Sequence, residues 1–195
     1  MSNSRVILLA EDSSDDTMLI QAAFKRAGYD NPFMLVANGE DAIAYLKGEG
    51  QYADRSEFPI PSVLLLDLKM PRMDGFEVLK WIRGHPEWRC LPVIVLTTSY
   101  QGSDINRAYD LGANSFLTKP PDFEEYVSAV KQVGQFWLKH NLSPAPGPFV
   151  PQPTKSEASV PKPGNPAAAQ RPHPHTTPSP NRTESTPPLQ PGSEN

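Results

Sequence analysis

Cysteine is nearly absent from this chain: Cys90 is the single one in 195 residues, so no internal disulfide can form and a reducing compartment suits the protein. Long apolar runs are missing. Nothing approaches the roughly 20 residues of a membrane span, and the first apolar run, 6–10, is too short for a secretion signal and runs straight into acids. The expected location is the cytoplasm, with no membrane insertion. A basic excess is missing as well. The formal net charge is −4, and residues 1–142 carry 14 Lys and Arg against 19 Asp and Glu, so the basic face of a nucleic-acid-binding domain is not expected. Neither a G-x-x-x-x-G-K-[ST] loop nor a G-x-G-x-x-G turn occurs, which leaves nucleotide binding without support. Proline is sparse until residue 142 and then dense, since 15 of the 23 prolines lie in 143–195. That segment offers only Phe149, Val150, Val160 and Leu189 as large apolar groups, too few to offset the entropy of ordering it. The expectation is a folded domain over 1–142 and a disordered Pro/Ser/Thr-rich tail over 143–195 with local polyproline II character.

Within 1–142 two hydrophobic periods alternate. Strand-like runs at 5–10, 33–37, 63–67, 93–97 and 114–118 are separated by helix-like stretches at 14–27, 39–47, 74–84, 103–111 and 122–139. Near-continuous apolar strands joined by helices indicate a parallel sheet covered on both faces, so the chain reads as an α/β protein, a flavodoxin-like (βα)5 doubly wound five-stranded sheet. Ser13 and Ser14 can cap the first helix, Gly28 can stop it, and Asp122 with Glu124 and Glu125 suits the start of the last.

Four of the strands end in reactive side chains. The run 6–10 meets Glu11-Asp12, the run 63–66 meets Asp67 ahead of the Pro/Gly-containing turn Met70-Pro71-Arg72-Met73-Asp74-Gly75, the run 93–96 meets Thr97-Thr98, and the fifth ends in Thr118-Lys119-Pro120. Ligands of open α/β sheets bind beyond the carboxyl ends of the strands, so these endings are expected to converge. Three acids, a hydroxyl and a lysine suit a hard divalent cation together with a phosphoryl group. A carboxylate can itself be the phosphoryl acceptor, and Asp67 is the candidate.

These motifs, with Leu111-Gly112-Ala113 between the last two, fall in the order and at the spacing of a known family. Across residues 5–138 the chain resembles the receiver domain of two-component response regulators. The long loop 47–61 and the ending Gln135-Phe136-Trp137-Leu138 resemble more narrowly the phytochrome-associated single-domain regulators. The resemblance implies a stand-alone phosphoreceiver served by a sensor histidine kinase, with a phytochrome-like kinase as the candidate. In that frame Asp67 is the phosphoacceptor, Asp12 and Asp67 bind Mg²⁺ directly, Glu11 acts through a metal-bound water, and the main-chain carbonyl of Lys69 is the third protein ligand. Thr97 would bond a phosphoryl oxygen and Lys119 would pair with the phosphate. Phe116 takes the aromatic switch position, where a ring without a hydroxyl can report activation only by rotamer and burial. No external substrate is turned over; the chemistry is self-phosphorylation from a phosphohistidine donor and autodephosphorylation.

The apolar residues of the last helix, Tyr126, Val127, Ala129, Val130, Val133, Phe136, Trp137 and Leu138, cover more than the stripe needed to pack on a sheet. With Tyr100, Tyr109 and Phe116 nearby, the face of the fourth helix, fifth strand and fifth helix is the expected contact surface for a downstream protein or a second copy. Two rivals remain at this point. A pseudo-receiver would bind partners without phosphorylation, and Lys69 could alter access to the metal site. A haloacid-dehalogenase-like phosphatase also uses a strand-end Asp, but it needs an acid where this chain has Lys69.

Overall fold

A computed structural model describes residues 5–142. The Pro-rich segment 143–195 and the expectation of its disorder lie outside the described residues. The chain alternates β1 (Ile7–Ala10), α1 (Ser14–Arg26), β2 (Phe33–Val36), α2 (Gly39–Lys47), β3 (Val63–Leu66), α3 (Gly75–Gly84), β4 (Val93–Thr97), α4 (Gly102–Asp110), β5 (Ser115–Thr118) and α5 (Phe123–Val133). The five strands pair in parallel in the order β2-β1-β3-β4-β5. This is the doubly wound flavodoxin-like sheet expected from the apolar periods.

Strand side chains alternate between the two faces, and each face has its own core. Leu8, Ala10, Leu64, Leu66, Val93 and Val95 pack under α2, α3 and α4 with Leu46, Leu79 and Ile82. Ile7, Leu9, Val63, Leu65, Ile94 and Leu96 pack under α1 and α5 with Ile20, Phe24, Tyr126 and Val130. Burial on both faces is why β1, β3 and β4 read as continuous apolar runs.

The helix starts follow local chemistry. Ser13 caps α1, its Oγ accepting from the Asp16 N–H at 3.2 Å. Asp74 and Glu77 form a reciprocal capping box at α3. The loop after α2 is held inward by its own side chains. A 3₁₀ turn at Gly50–Tyr52 precedes Arg55, whose guanidinium donates to the last-turn carbonyls of Tyr45 and Leu46 at 2.9 and 2.6 Å.

The last helix departs from expectation in one respect. Residues 122–139 read as one regular helix, whereas α5 widens into a π-helical stretch at Gly134–His140, closed by the Asn141 N–H donating to the Phe136 carbonyl at 2.7 Å. The cause is tertiary. The Tyr29 hydroxyl donates to the Lys131 carbonyl at 3.1 Å and Arg5 donates to the Trp137 carbonyl at 2.8 Å, which supplies those carbonyls with partners from outside the helix. Hydrophobic periodicity does not register that competition.

Candidate functional site

The ladder extends one residue past β1, β3 and β5. The Glu11 N–H donates to the Val36 carbonyl and the Asp67 N–H to the Ala10 carbonyl, both at 3.0 Å, while the Lys119 N–H donates to the Thr97 carbonyl at 2.8 Å. These bonds fix the main chain at the carboxyl edge where β1 and β3 part, the point at which the winding of the sheet reverses. Gly75 is required here. A Cβ on it would fall 2.3 Å from the Asp67 carbonyl oxygen, so α3 can start this close beneath the acid only without a side chain.

Glu11, Asp67, Thr97 and Lys119 are buried and Asp12 is exposed. Each of the three acids offers a carboxylate oxygen within 4.8 Å of those of the other two. The Lys119 Nζ donates to Glu11 Oε2 and to Asp16 Oδ2, each at 2.6 Å, and stands 4.0 Å from Asp67 Oδ1. That Asp67 oxygen is buried and has no hydrogen-bond partner among the described residues. A desolvated carboxylate oxygen without a donor is costly in a finished core, and three converging oxygens are the donor chemistry of a hard divalent cation.

Burial pushes the Glu11 carboxyl above its usual range, the Asp67 charge adds to the effect, and the Lys119 contact opposes it without cancelling it. For Lys119 burial works against the ammonium. Its hydrogen bonds to Asp16 and Glu11, with the Asp67 charge, outweigh that and raise its pKa, so the lysine stays charged.

The remaining expected residues lie on β4, on β5 and just after β3. Thr97 ends β4, fully buried, and its Oγ1 accepts from the Ser99 N–H at 3.4 Å. Ser99 in turn donates through Oγ to Asp104 Oδ2 at 2.5 Å, in the first turn of α4. Lys69 follows the Asp67 strand with its side chain exposed. Phe116 pairs in register with Val95 and packs, half-buried, on the α3/α4 side of the sheet. Sequence reasoning missed Asp16 and Ser99. In the sequence Ser99 reads as a turn serine and Asp16 as an ordinary first-turn helix acid. A cleft of about 350 Å³ opens beside it, lined by Asp16, Leu19, Thr98, Tyr100, Lys119 and Tyr126 among others.

Compared with known families, residues 7–131 match the model of the response regulator receiver domain. The chain belongs to the response regulator receiver family. This receiver is 41% identical over 142 residues to the probable methanogenesis regulatory protein FilR2 of Methanothrix harundinacea, covering 72% of this chain and 88% of that protein. It is 37% identical over 141 residues to the response regulator Rcp1 of Synechocystis, covering 72% and 94%. Among solved structures, the Mn²⁺-bound form of Rcp1 aligns with a TM-score of 0.65 at 37% identity over 72% of this chain and 99% of that one. The phosphorylated cyanobacterial phytochrome response regulator RcpA aligns with a TM-score of 0.67, at the same identity and coverage. Among the described residues of the receiver no helix is long and apolar enough to cross a membrane.

Proposed function

We propose that Asp67 accepts a phosphoryl group from the phosphohistidine of a sensor histidine kinase, with Mg²⁺ bound, and that the modified receiver signals by a changed affinity for a protein partner. One observation carries this reading. A charged lysine stands 4.0 Å from a buried oxygen of Asp67 that has no hydrogen-bond partner among the described residues, and that carboxylate converges with two more. Kinship to the phosphorylated RcpA and the Mn²⁺-bound Rcp1 supports it.

The acids fit the ion. Asp12 and Asp67 would hold it directly, the main-chain carbonyl of Lys69 would be the third protein ligand, and Glu11 would act through a bound water. Bound Mg²⁺ would neutralise charge on the phosphoryl oxygens. In the transfer a carboxylate oxygen of Asp67 bonds to phosphorus as the P–N bond to the donor histidine breaks. The bonding pair goes to the imidazole nitrogen, which takes a proton. Lys119 then pairs with the new anion and the Thr97 hydroxyl donates to one of its oxygens. Reset requires water to attack phosphorus, releasing the Asp67 carboxylate and inorganic phosphate with the water's protons.

Input from a phytochrome-like kinase is supported by the likeness to the cyanobacterial phytochrome response regulator RcpA. For output, Tyr100, Tyr109 and Phe136 leave exposed aromatic surface around α4, β5 and α5, suited to a downstream protein or a second copy, and the half-buried Phe116 lies on β5 to report the state of the site by its rotamer. The test is labelling with acetyl phosphate and Mg²⁺, read by intact mass. The wild type should gain one phosphoryl group and Asp67→Asn none; equal labelling of both overturns the assignment.

A further inference from the structure

Lys119 is held by two carboxylates, and they differ in what happens when the lysine leaves. The Glu11 side chain is 2% exposed and the Asp16 side chain 34% exposed, each bonded to Nζ at 2.6 Å. Abandoning Glu11 would strand a buried charge unless a cation replaced the lysine. Asp16 instead borders the open cleft with Thr98 and Tyr100, where water can take the lysine's place. Asp16 is also firmly placed. It sits in the first turn of α1, its N–H is capped by Ser13, and α1 packs on α5 over Tyr126.

We infer that Asp16 is a positioning residue that holds Lys119 in the unmodified arrangement, so that this one carboxylate sets how readily the lysine transfers to an anion on Asp67. The inference rests on the function proposed above. A contact present in one of two states biases the equilibrium by its own free energy and no more, so the bias is graded and removable. It also reaches the fold: when Lys119 lets go, the start of α1 loses its tie to the segment joining β5 to α5.

The experiment uses the full chain with Mg²⁺ and beryllofluoride, a non-hydrolysable mimic of the phosphoryl group, titrated by Trp fluorescence or NMR. Asp16→Asn should bind the mimic about 3- to 10-fold more tightly than the wild type, the scale of one partly exposed charge-assisted hydrogen bond. Asp16→Glu, which keeps the charge, should return to within about twofold of the wild type. A second measurement separates positioning from structure. The Lys119 Cε resonance, assigned by its loss in Lys119→Arg, should move when the wild type binds the mimic, and in unliganded Asp16→Asn it should already lie towards that position. Unchanged affinity in Asp16→Asn, or a Lys119 resonance that stays put when the wild type binds the mimic, overturns the inference alone. A wild type that neither binds beryllofluoride nor gains mass from acetyl phosphate overturns the proposed function and this inference with it.

Discussion

The ring of Tyr29 fills the space that a side chain at residue 134 would occupy: a Cβ on Gly134 would lie 2.5 Å from Tyr29 Cζ. The same tyrosine bonds the Lys131 carbonyl and carries the Lys139 ammonium 5.0 Å from its ring centroid. One loop residue after α1 therefore meets the end of α5 at Lys131, Gly134 and Lys139.

Gly134→Ala should accordingly lower stability by about 1–3 kcal/mol, the usual cost of forcing a methyl group into a packed contact. Urea unfolding measures it. A paired Tyr29→Ala should remove most of the penalty of the added methyl, because the atoms it meets belong to that ring; a penalty that survives in the double variant would place the strain elsewhere.

Asp67→Asn should stabilise the protein in the absence of divalent cations, by about 1 kcal/mol. The native carboxylate is desolvated, has one oxygen without a donor and faces the Glu11 charge, and an amide removes the repulsion and brings donors of its own. Denaturant unfolding in a chelator should show the rise. A loss of stability would mean that the Lys119 charge 4.0 Å away outweighs the desolvation.

Divalent-cation affinity should fall as pH drops through the raised Glu11 range, above the ordinary carboxylate value of 4.5. Only the deprotonated acid can serve the site, so cation binding there releases a proton and weakens when protons compete. Titrating Mg²⁺ between pH 7.5 and 5.0 should show the loss in the wild type and a flatter profile in Glu11→Gln, which starts weaker. Parallel profiles would take Glu11 out of the cation site.

Alkaline pH should destabilise the fold through buried tyrosines. Burial pushes Tyr45 up to about 12 from 10.0, the nearby Arg55 only partly opposing this, and burial raises Tyr126 further. The unfolded chain therefore loses these protons first, so the stability is fully present below pH 10 and drains away as pH climbs from 10 towards 12. For Tyr45 alone the loss is on the order of 3 kcal/mol, at roughly 1.4 kcal/mol per pH unit. Tyr45→Phe should lose its own share of this slope, and an unchanged slope between pH 9 and 12 would refute the attribution.

Much of the site is legible in the order of residues along the chain. The apolar runs ending in Glu11-Asp12, Asp67, Thr97 and Lys119 specify a parallel sheet, and parallel strands necessarily bring their carboxyl ends to one edge. Convergence thus follows from topology, which periodicity reports. Ser99 and Asp16 escape notice because nothing local distinguishes them from a turn serine and a first-turn helix acid.

The sequence by itself determined the elements, their parallel arrangement and which side chains reach the carboxyl edge, because each depends on patterns within a few residues and on the short connections between them. Tertiary structure alone decided the partners. Lys119 meets an acid 103 positions away in Asp16 and another 108 away in Glu11, Tyr29 meets Lys131 across 102, and Arg5 meets Trp137 across 132. Those contacts place a lysine between two carboxylates, leave one Asp67 oxygen without a donor and widen the last helix. Each outcome depends on distances of a few tenths of an ångström between groups that share no local pattern, so it exists only once both cores have closed on the sheet.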